Sequence, residues 1–436
     1  MKQIIILFLL VFIGIGKINC QENGHSGTNS SAVGHEHAPG DGHNHAAEAP
    51  VGTPTAEASG HSEEHGTAKF DPKATAFHHI SDLNVYSIGP WNFPLPCILY
   101  APAKGWSVFS SSKFHIDNAH HGSGHLAIEG YVLNHGRVNH IADPAFTEKE
   151  ASIQEIITKK ETVDGKEKDR DFAVINGVAY ALDKPSTADG GLFQGGISSF
   201  YDFSITKNVM SMILVFILLS WVFISMARQY KSAPGTAPKG AQLLFEPMIL
   251  FIQDEVAKPF LGHKWQRFLP MLLAIFFFVL ALNLFGQIPF LGGSNVTGNL
   301  SFTMVIALIA FVVVNLNGNK HYWQHILWMP GIPAWVKTIL TPVEILGVFI
   351  KPLTLMLRLF ANITAGHMAI LIFISLIFIF GNSGANLGAG LGASIGSGLL
   401  TVFMMSIELL VAVIQAFVFT LLTASYIGAA TEEAHH

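Results

Sequence analysis

Two cysteines, Cys20 and Cys97, are all the thiol this chain has, and that is too few for a disulfide framework. Charge is scarce too. Only 13% of the residues are Asp, Glu, Lys or Arg, and they balance to −5, which argues against a nucleic-acid partner, because such partners select a basic face. No GxxxxGK[ST] stretch occurs, so the loop that cradles nucleotide phosphates is missing and the chain does not bind ATP by that route. Nothing in the sequence asks for a cofactor.

The shortage of charge is uneven, and its distribution carries information. No charged residue occurs from Phe268 to Asn319, and between Pro352 and Ala430 the only formal charges are Arg358 and Glu408, joined by one imidazole, His367. With 33 Phe, half of the residues hydrophobic and a mean hydropathy of +0.42, the composition is that of a polytopic membrane protein with an appended soluble part. Arg358 sits in the middle of an apolar stretch from Lys351 to Ile370 that is long enough to cross a bilayer. An arginine at that depth costs at least about 2.5–3.5 kcal/mol, so it is retained only where it faces protein or a wet cavity and has a task.

Helical geometry orders these polar residues. Asn362 lies one turn beyond Arg358 on the same face, whereas His367 is half a revolution away and roughly 13–14 Å further along the axis. In the following apolar segment, Leu399 to Ile427, Glu408 and Gln415 are seven residues apart and share one stripe. Folding the two segments about the glycine-rich joint Gly381–Gly398, with its centre near residue 387, brings Arg358 level with Gln415 and His367 level with Glu408. A structural ion pair between Arg358 and Glu408 is disfavoured by the same count, which leaves them roughly 10 Å apart in rise.

RLFANITAGH, preceded by KPLTLML and followed by the Glu408–Gln415 helix, closely resembles subunit a of the rotary ATP synthase, the membrane stator that faces the proton-carrying c-ring. The blocks NLFGQIP (Asn283 to Pro289), GNLSFT (Gly298 to Thr303) and PVEILG (Pro342 to Gly347) extend the resemblance over roughly Thr206 to Glu433. The resemblance implies that Arg358 is the essential stator arginine, which meets the ring carboxylate and blocks leakage between two offset half-channels. It implies that Asn362 and Gln415 are its polar neighbours, that His367 and Glu408 line the outer half-channel, and that Glu344 belongs to the inner one. Some family members carry an acid where His367 stands and a histidine where Glu408 stands, so the pair is swapped relative to those. The partners implied are the c-ring, the peripheral-stalk subunit b and the bilayer. For Glu344, a carboxylate simply reaching water at the inner membrane surface is the equal alternative.

Residues 1–20 carry Lys2 and a short apolar run, Ile4 to Ile15, the pattern of a secretory signal peptide rather than a span; Cys20 is a poor lipidation candidate. Residues 21–66 are rich in Gly, Ser, Ala and His and too poor in large apolar residues to order themselves. Fifteen of the 21 histidines lie between His25 and His140. Such clusters bind divalent metal in some proteins, but no fixed spacing sets them apart here from a solvated tail. Residues 67–200 read as a small β-rich or mixed extracytoplasmic domain, in which the charged interval from Thr147 to Asp171 is expected to hold a helix or a loop.

Residues 201–436 form an all-α polytopic membrane domain: five transmembrane helices, an amphipathic surface helix at Leu243 to Leu261, and a long tilted terminal hairpin. Arg228, Lys231 and Lys239 follow the first span, which places its end in the cytoplasm and the chain's amino-terminal part outside, in a bacterial inner membrane. Trp323, Trp328 and Trp335 suit an interfacial belt, and Asn283, Asn315 and Asn317 suit interfacial hydrogen bonding. The competing function is a divalent metal ion transporter fed by the histidine-rich tail. It would need several ligands converging inside the spans, where only His367 and Glu408 are available.

Overall fold

A computed structural model describes residues 81–88, 91–116, 123–143, 146–163, 166–186, 198–232, 237–288, 294–329, 331–381 and 386–432. The expected signal peptide and histidine-rich segment lie outside the described residues.

The amino-terminal part is built from strands and short turns. Strands β1 (Val85–Ile88) and β2 (Trp91–Pro94) form a hairpin, and β3 (Pro96–Ala101) pairs with β4 (Gly105–Ser110). Next come β5 (Leu126–Ile128), β6 (Tyr131–Asn134), β7 (Arg137–His140), β8 (Glu150–Val163), β9 (Lys166–Ile175), β10 (Val178–Ala181) and β11 (Tyr201–Asp202). They make a six-stranded sheet of order β10-β9-β8-β5-β6-β7 and a three-stranded one of order β11-β3-β4. Three hairpins turn on two residues whose second is glycine: Glu129-Gly130, His135-Gly136 and Asn176-Gly177 all have positive φ at both positions. That is the tight turn whose twist matches the flanking strands.

The charged interval is neither helix nor loop. It forms the longest hairpin of the sheet, β8 with β9, antiparallel from Ile153↔Ile175 to Val163↔Lys166. Ala151 and Ile153 are buried at its root, and the β-branched run Ile153-Ile156-Ile157 favours strand over helix. Charge density alone misleads there.

The strand-built part joins the membrane part without a linker. The first long helix, α1 (Lys207–Ser232), starts five residues after β11. Asp82 caps it: Oδ1 accepts from the Asn208 N–H at 3.0 Å and Oδ2 from the Thr206 hydroxyl at 2.8 Å, an acid at the positive end of a helix. The Lys207 N–H donates to the Leu83 carbonyl at 2.8 Å, and Arg137 Nε donates to the Asp82 carbonyl at 3.3 Å.

The membrane part continues with α2 (Ala241–Phe251), a π-helical turn at Ile252–Ala257, α3 (Lys258–Leu261) and α4 (Trp265–Gln287). The run Ala241–Gln287 contains a window apolar enough to span, but it is not one rod. Phe245 and Phe277 stack at 5.5 Å, whereas 32 residues of straight helix would hold them about 48 Å apart. Gly262, at φ +51°, makes the reversal. The segment before it is amphipathic, with Ile252, Val256 and Ala257 buried and Asp254, Glu255 and Lys258 exposed. Then follow α5 (Leu300–Leu316), the short α6 (Lys320–Leu327) bent 104° from it, α7 (Ala334–Phe380) and α8 (Leu387–Thr431). Among the described residues, four helices are long and apolar enough to cross a membrane, or up to five with the bent pair taken as one span.

Two boundaries differ from expectation. α8 begins at Leu387, not at Leu399, because Gly390 lets it run close against the end of α7: a Cβ on Gly390 would stand 3.3 Å from the Gly381 Cα. Glycine costs helix stability in water, yet here it admits a neighbouring backbone. α7 runs unbroken for 47 residues through Pro342 and Pro352. At about 1.5 Å per residue it is about 70 Å long, over twice the ~30 Å of hydrocarbon.

Two outcomes follow. Burial, with Asp202 adding to it, pushes the Cys97 thiol up to about 12, so peptide mapping after alkylation at pH 8 should find Cys97 unmodified in the folded protein and fully modified after denaturation. A Cβ on Gly428 would land on the Phe260 carbonyl oxygen, whereas one on Gly396 meets nothing. Unfolding of the detergent-solubilised chain should therefore show Gly428→Ala destabilised by about 1–3 kcal/mol and Gly396→Ala unchanged or stabilised by up to about 1 kcal/mol.

Candidate functional site

The hairpin of α7 and α8 brings one acid and one imidazole together. His367 Nδ1 lies 3.0 Å from Glu408 Oε1, and the carboxylate is buried to 3% exposure while the ring is half-buried. Gly366, beside His367 on α7, makes room for this: a Cβ there would sit 3.3 Å from Glu408 Cγ and 3.4 Å from Cδ. In a medium of low dielectric, an acid and base at this spacing share a proton readily.

Other elements hold α8 in position. From α4, Gln287 Nε2 donates to the Glu408 carbonyl at 2.9 Å, and Asn283 Nδ2 donates to the Ala412 carbonyl at 3.0 Å. Thr364 on α7 donates to the Gly298 carbonyl at 3.3 Å. Gly286 allows the chain after α4 to return closely, since a Cβ there would lie 2.6 Å from the Ser294 carbonyl oxygen. These residues escape a reading by charge. Their signal was a polar side chain inside an apolar run, and Asn283, expected to hydrogen-bond near a span end, is buried and bonds to a carbonyl of a second helix.

Arg358 is placed differently. It is exposed, on a face of α7 shared with exposed Asn362, and among the described residues it makes no hydrogen bond or ion pair. Gln415 is buried on α8 and makes no hydrogen bond to it. The hairpin thus brings the His367–Glu408 pair into contact but not the Arg358–Gln415 pair. Glu344, on the first part of α7, is half-exposed and joins neither pair.

The surface around Arg358 is apolar and uncovered. Only 11% of the most apolar window of α7, and 28% of that of α8, is buried by the rest of the chain. Leu353, Leu357, Leu409 and Leu410 are among the exposed side chains. Among the described residues, no three His, Cys, Asp or Glu side chains converge as metal ligands would, so nothing there supports a metal transporter.

Residues 209–428 match the family model for the ATP synthase A chain. The chain belongs to that family. It is 40% identical over 237 residues to ATP synthase subunit a 2 of Chlorobaculum tepidum, a match covering 53% of this chain and 64% of the relative. It is 36% identical over 242 residues to ATP synthase subunit a of Chloroherpeton thalassium (54% and 69% covered), and 34% over 256 residues to that of Myxococcus xanthus (57% and 80%). The matches cover little more than half of this chain. Residues 75–165, in the strand-built part, match a separate model described as a domain of unknown function (DUF8433).

Gly366→Val should drive a branched side chain into the Glu408 carboxyl and lower stability by about 1–3 kcal/mol relative to Gly396→Val. The second variant has the same helix-propensity change and no neighbour to strike, so equal thermal shifts in the two would show that Gly366 makes no such room.

Proposed function

We propose that this chain is the proton-translocating stator subunit of the membrane sector of an ATP synthase, working against a ring of carboxylate-bearing subunits. The observation that carries the proposal is Arg358, an exposed guanidinium on an apolar helix face with no partner among the described residues. In hydrocarbon a free cation is costly, which is consistent with a partner that brings the opposite charge.

The electrostatics set the order of events. A ring carboxylic acid crosses lipid only when neutral, and the arginine lowers the pKa of a carboxylate arriving beside it. Deprotonation is therefore forced at Arg358. The acid releases its proton to one half-channel before that point and recharges from the other before it returns to lipid. His367 and Glu408 form the relay of the outer half-channel, Asn362 and Gln415 the polar margin of the arginine, and Glu344 belongs to the inner half-channel. Proton transfer between carboxylate and imidazole at hydrogen-bond distance is an ordinary acid–base step near neutral pH. Each proton yields about 2.3 kcal/mol per 100 mV of potential, so several must cross for one nucleotide phosphorylated.

The chain would not itself be the catalyst of nucleotide chemistry. Its partners in this reading are the c-ring, the peripheral-stalk subunit b and the bilayer. The membrane is a bacterial inner membrane, with the strand-built part outside and the carboxyl terminus in the cytoplasm, as the basic residues Arg228, Lys231 and Lys239 after the first span favour.

The test is Arg358→Ala in the assembled complex. Proton-driven ATP synthesis should vanish while assembly persists, as judged by co-purification of the ring. Unimpaired synthesis would remove the reading.

A further inference from the structure

In the three-stranded sheet β11-β3-β4 the one charged residue is Asp202 of β11, in register with Leu99 on the core side. Cys97, Leu99, Ala101 and Phe109 point into the core. The opposite positions of β3 and β4 carry no charged residue, and in register Tyr100 pairs with Trp106 and Ile98 with Val108. Trp106 is 62% exposed and Val108 68%. Tyr100 and Trp106 stack at 5.0 Å, and Trp106 and Phe203 at 5.5 Å, so the rings form one surface. Trp91 and Phe93 of β2 are exposed as well. A sheet with one face in water alternates apolar with polar residues; this one does not, so its outward face is built to be covered.

The chain's path indicates what covers it. Between β11 and α1 there is no slack: the Phe203 N–H donates to the Ile98 carbonyl at 2.8 Å and the Ile205 N–H to the Pro96 carbonyl at 3.1 Å, and Lys207 already belongs to α1. The Tyr86 side chain, on β1, bonds to Ser211 in the second turn of α1. The β1–β2 hairpin therefore stands beside the first turns of a helix apolar enough to cross a bilayer, and the aromatic sheet is tied to the same point. Trp and Tyr, apolar rings with one polar atom, concentrate where headgroups meet acyl chains.

We propose that this aromatic face, Tyr100, Trp106, Val108 and Phe203, rests in the headgroup–acyl boundary of the leaflet at the amino-terminal end of α1. The strand-built part thus contacts the bilayer along a sheet as well as through one helix. A protein surface seated on the same rings is the competing occupant, and the test separates the two.

A nitroxide on Val108→Cys, in a full chain that also carries Cys20→Ser, reads the local solvent in vesicles of phosphatidylcholine and phosphatidylglycerol. Cys97 is buried, so its continued protection from alkylation identifies variants with the fold intact. Oxygen, which concentrates in lipid, is expected to relax the label more than a water-soluble nickel chelate does. Relaxation dominated by nickel would place the face in water and overturn the proposal. A label that neither reagent reaches would mean a protein cover, and it too would overturn the proposal. The same measurement at Trp106→Cys guards against a purely local effect of the label at position 108.

Discussion

An exposed cation on an apolar helix face, with no anion paired to it among the described residues, is the constraint from which the rest of the membrane part can be understood. Between Pro352 and Ala430 the chain has two formal charges and treats them oppositely. Glu408 is buried and given His367 at 3.0 Å. Arg358 is left on an uncovered face. A buried or lipid-facing charge costs several kcal/mol unless paired, and the chain meets that cost for Glu408 with His367 but pairs nothing described with Arg358.

The packing follows the same division. α4 is the most enclosed of the long helices, with Leu272, Val279 and Leu282 in the main membrane core, and it grips α8 through Asn283 and Gln287. α7 and α8 are longer than any bilayer requires and little covered by their own chain. One side of the hairpin is thus fixed by buried side-chain-to-carbonyl bonds, each worth more in a dry medium than in water. The other is left apolar and open around Arg358.

Much of this was legible in the sequence because charge is so rare there. With one cation, one anion and one imidazole across nearly eighty residues, the helical repeat alone sets which can meet, and His367 and Glu408 do meet. Where the sequence misled, a local signal was overridden by context. Residues Thr147 to Asp171 read as a helix or a loop by charge, but they form the β8–β9 pair, with Ala151 and Ile153 buried at its root. The glycines after Gly381 look like a flexible joint, yet most of them lie in α8, where Gly390 closes on the end of α7. The clamps at Asn283 and Gln287 depend on which helix lies beside α8, and that is long-range information no periodicity contains.

The junction between the strand-built part and α1 constrains motion in a way a flexible tether would not. A single helix in a bilayer is free to turn about its own axis and to change tilt, since lipid resists neither strongly. Here the Asp82 carboxylate caps α1, and the Lys207 N–H is bonded to Leu83. The sheet pairing continues through Ile205 to the helix itself. Rotation of α1 must therefore carry the whole sheet with it, including exposed aromatic rings that would have to leave whatever apolar surroundings they occupy. Phe223, on the same helix, stacks on Phe245 and Phe277 at 5.7 and 5.0 Å, so α1 is keyed to α2 and α4 as well. A helix fixed in azimuth at one end and interlocked with the core along its length transmits to the core any restraint acting on the sheet at its start.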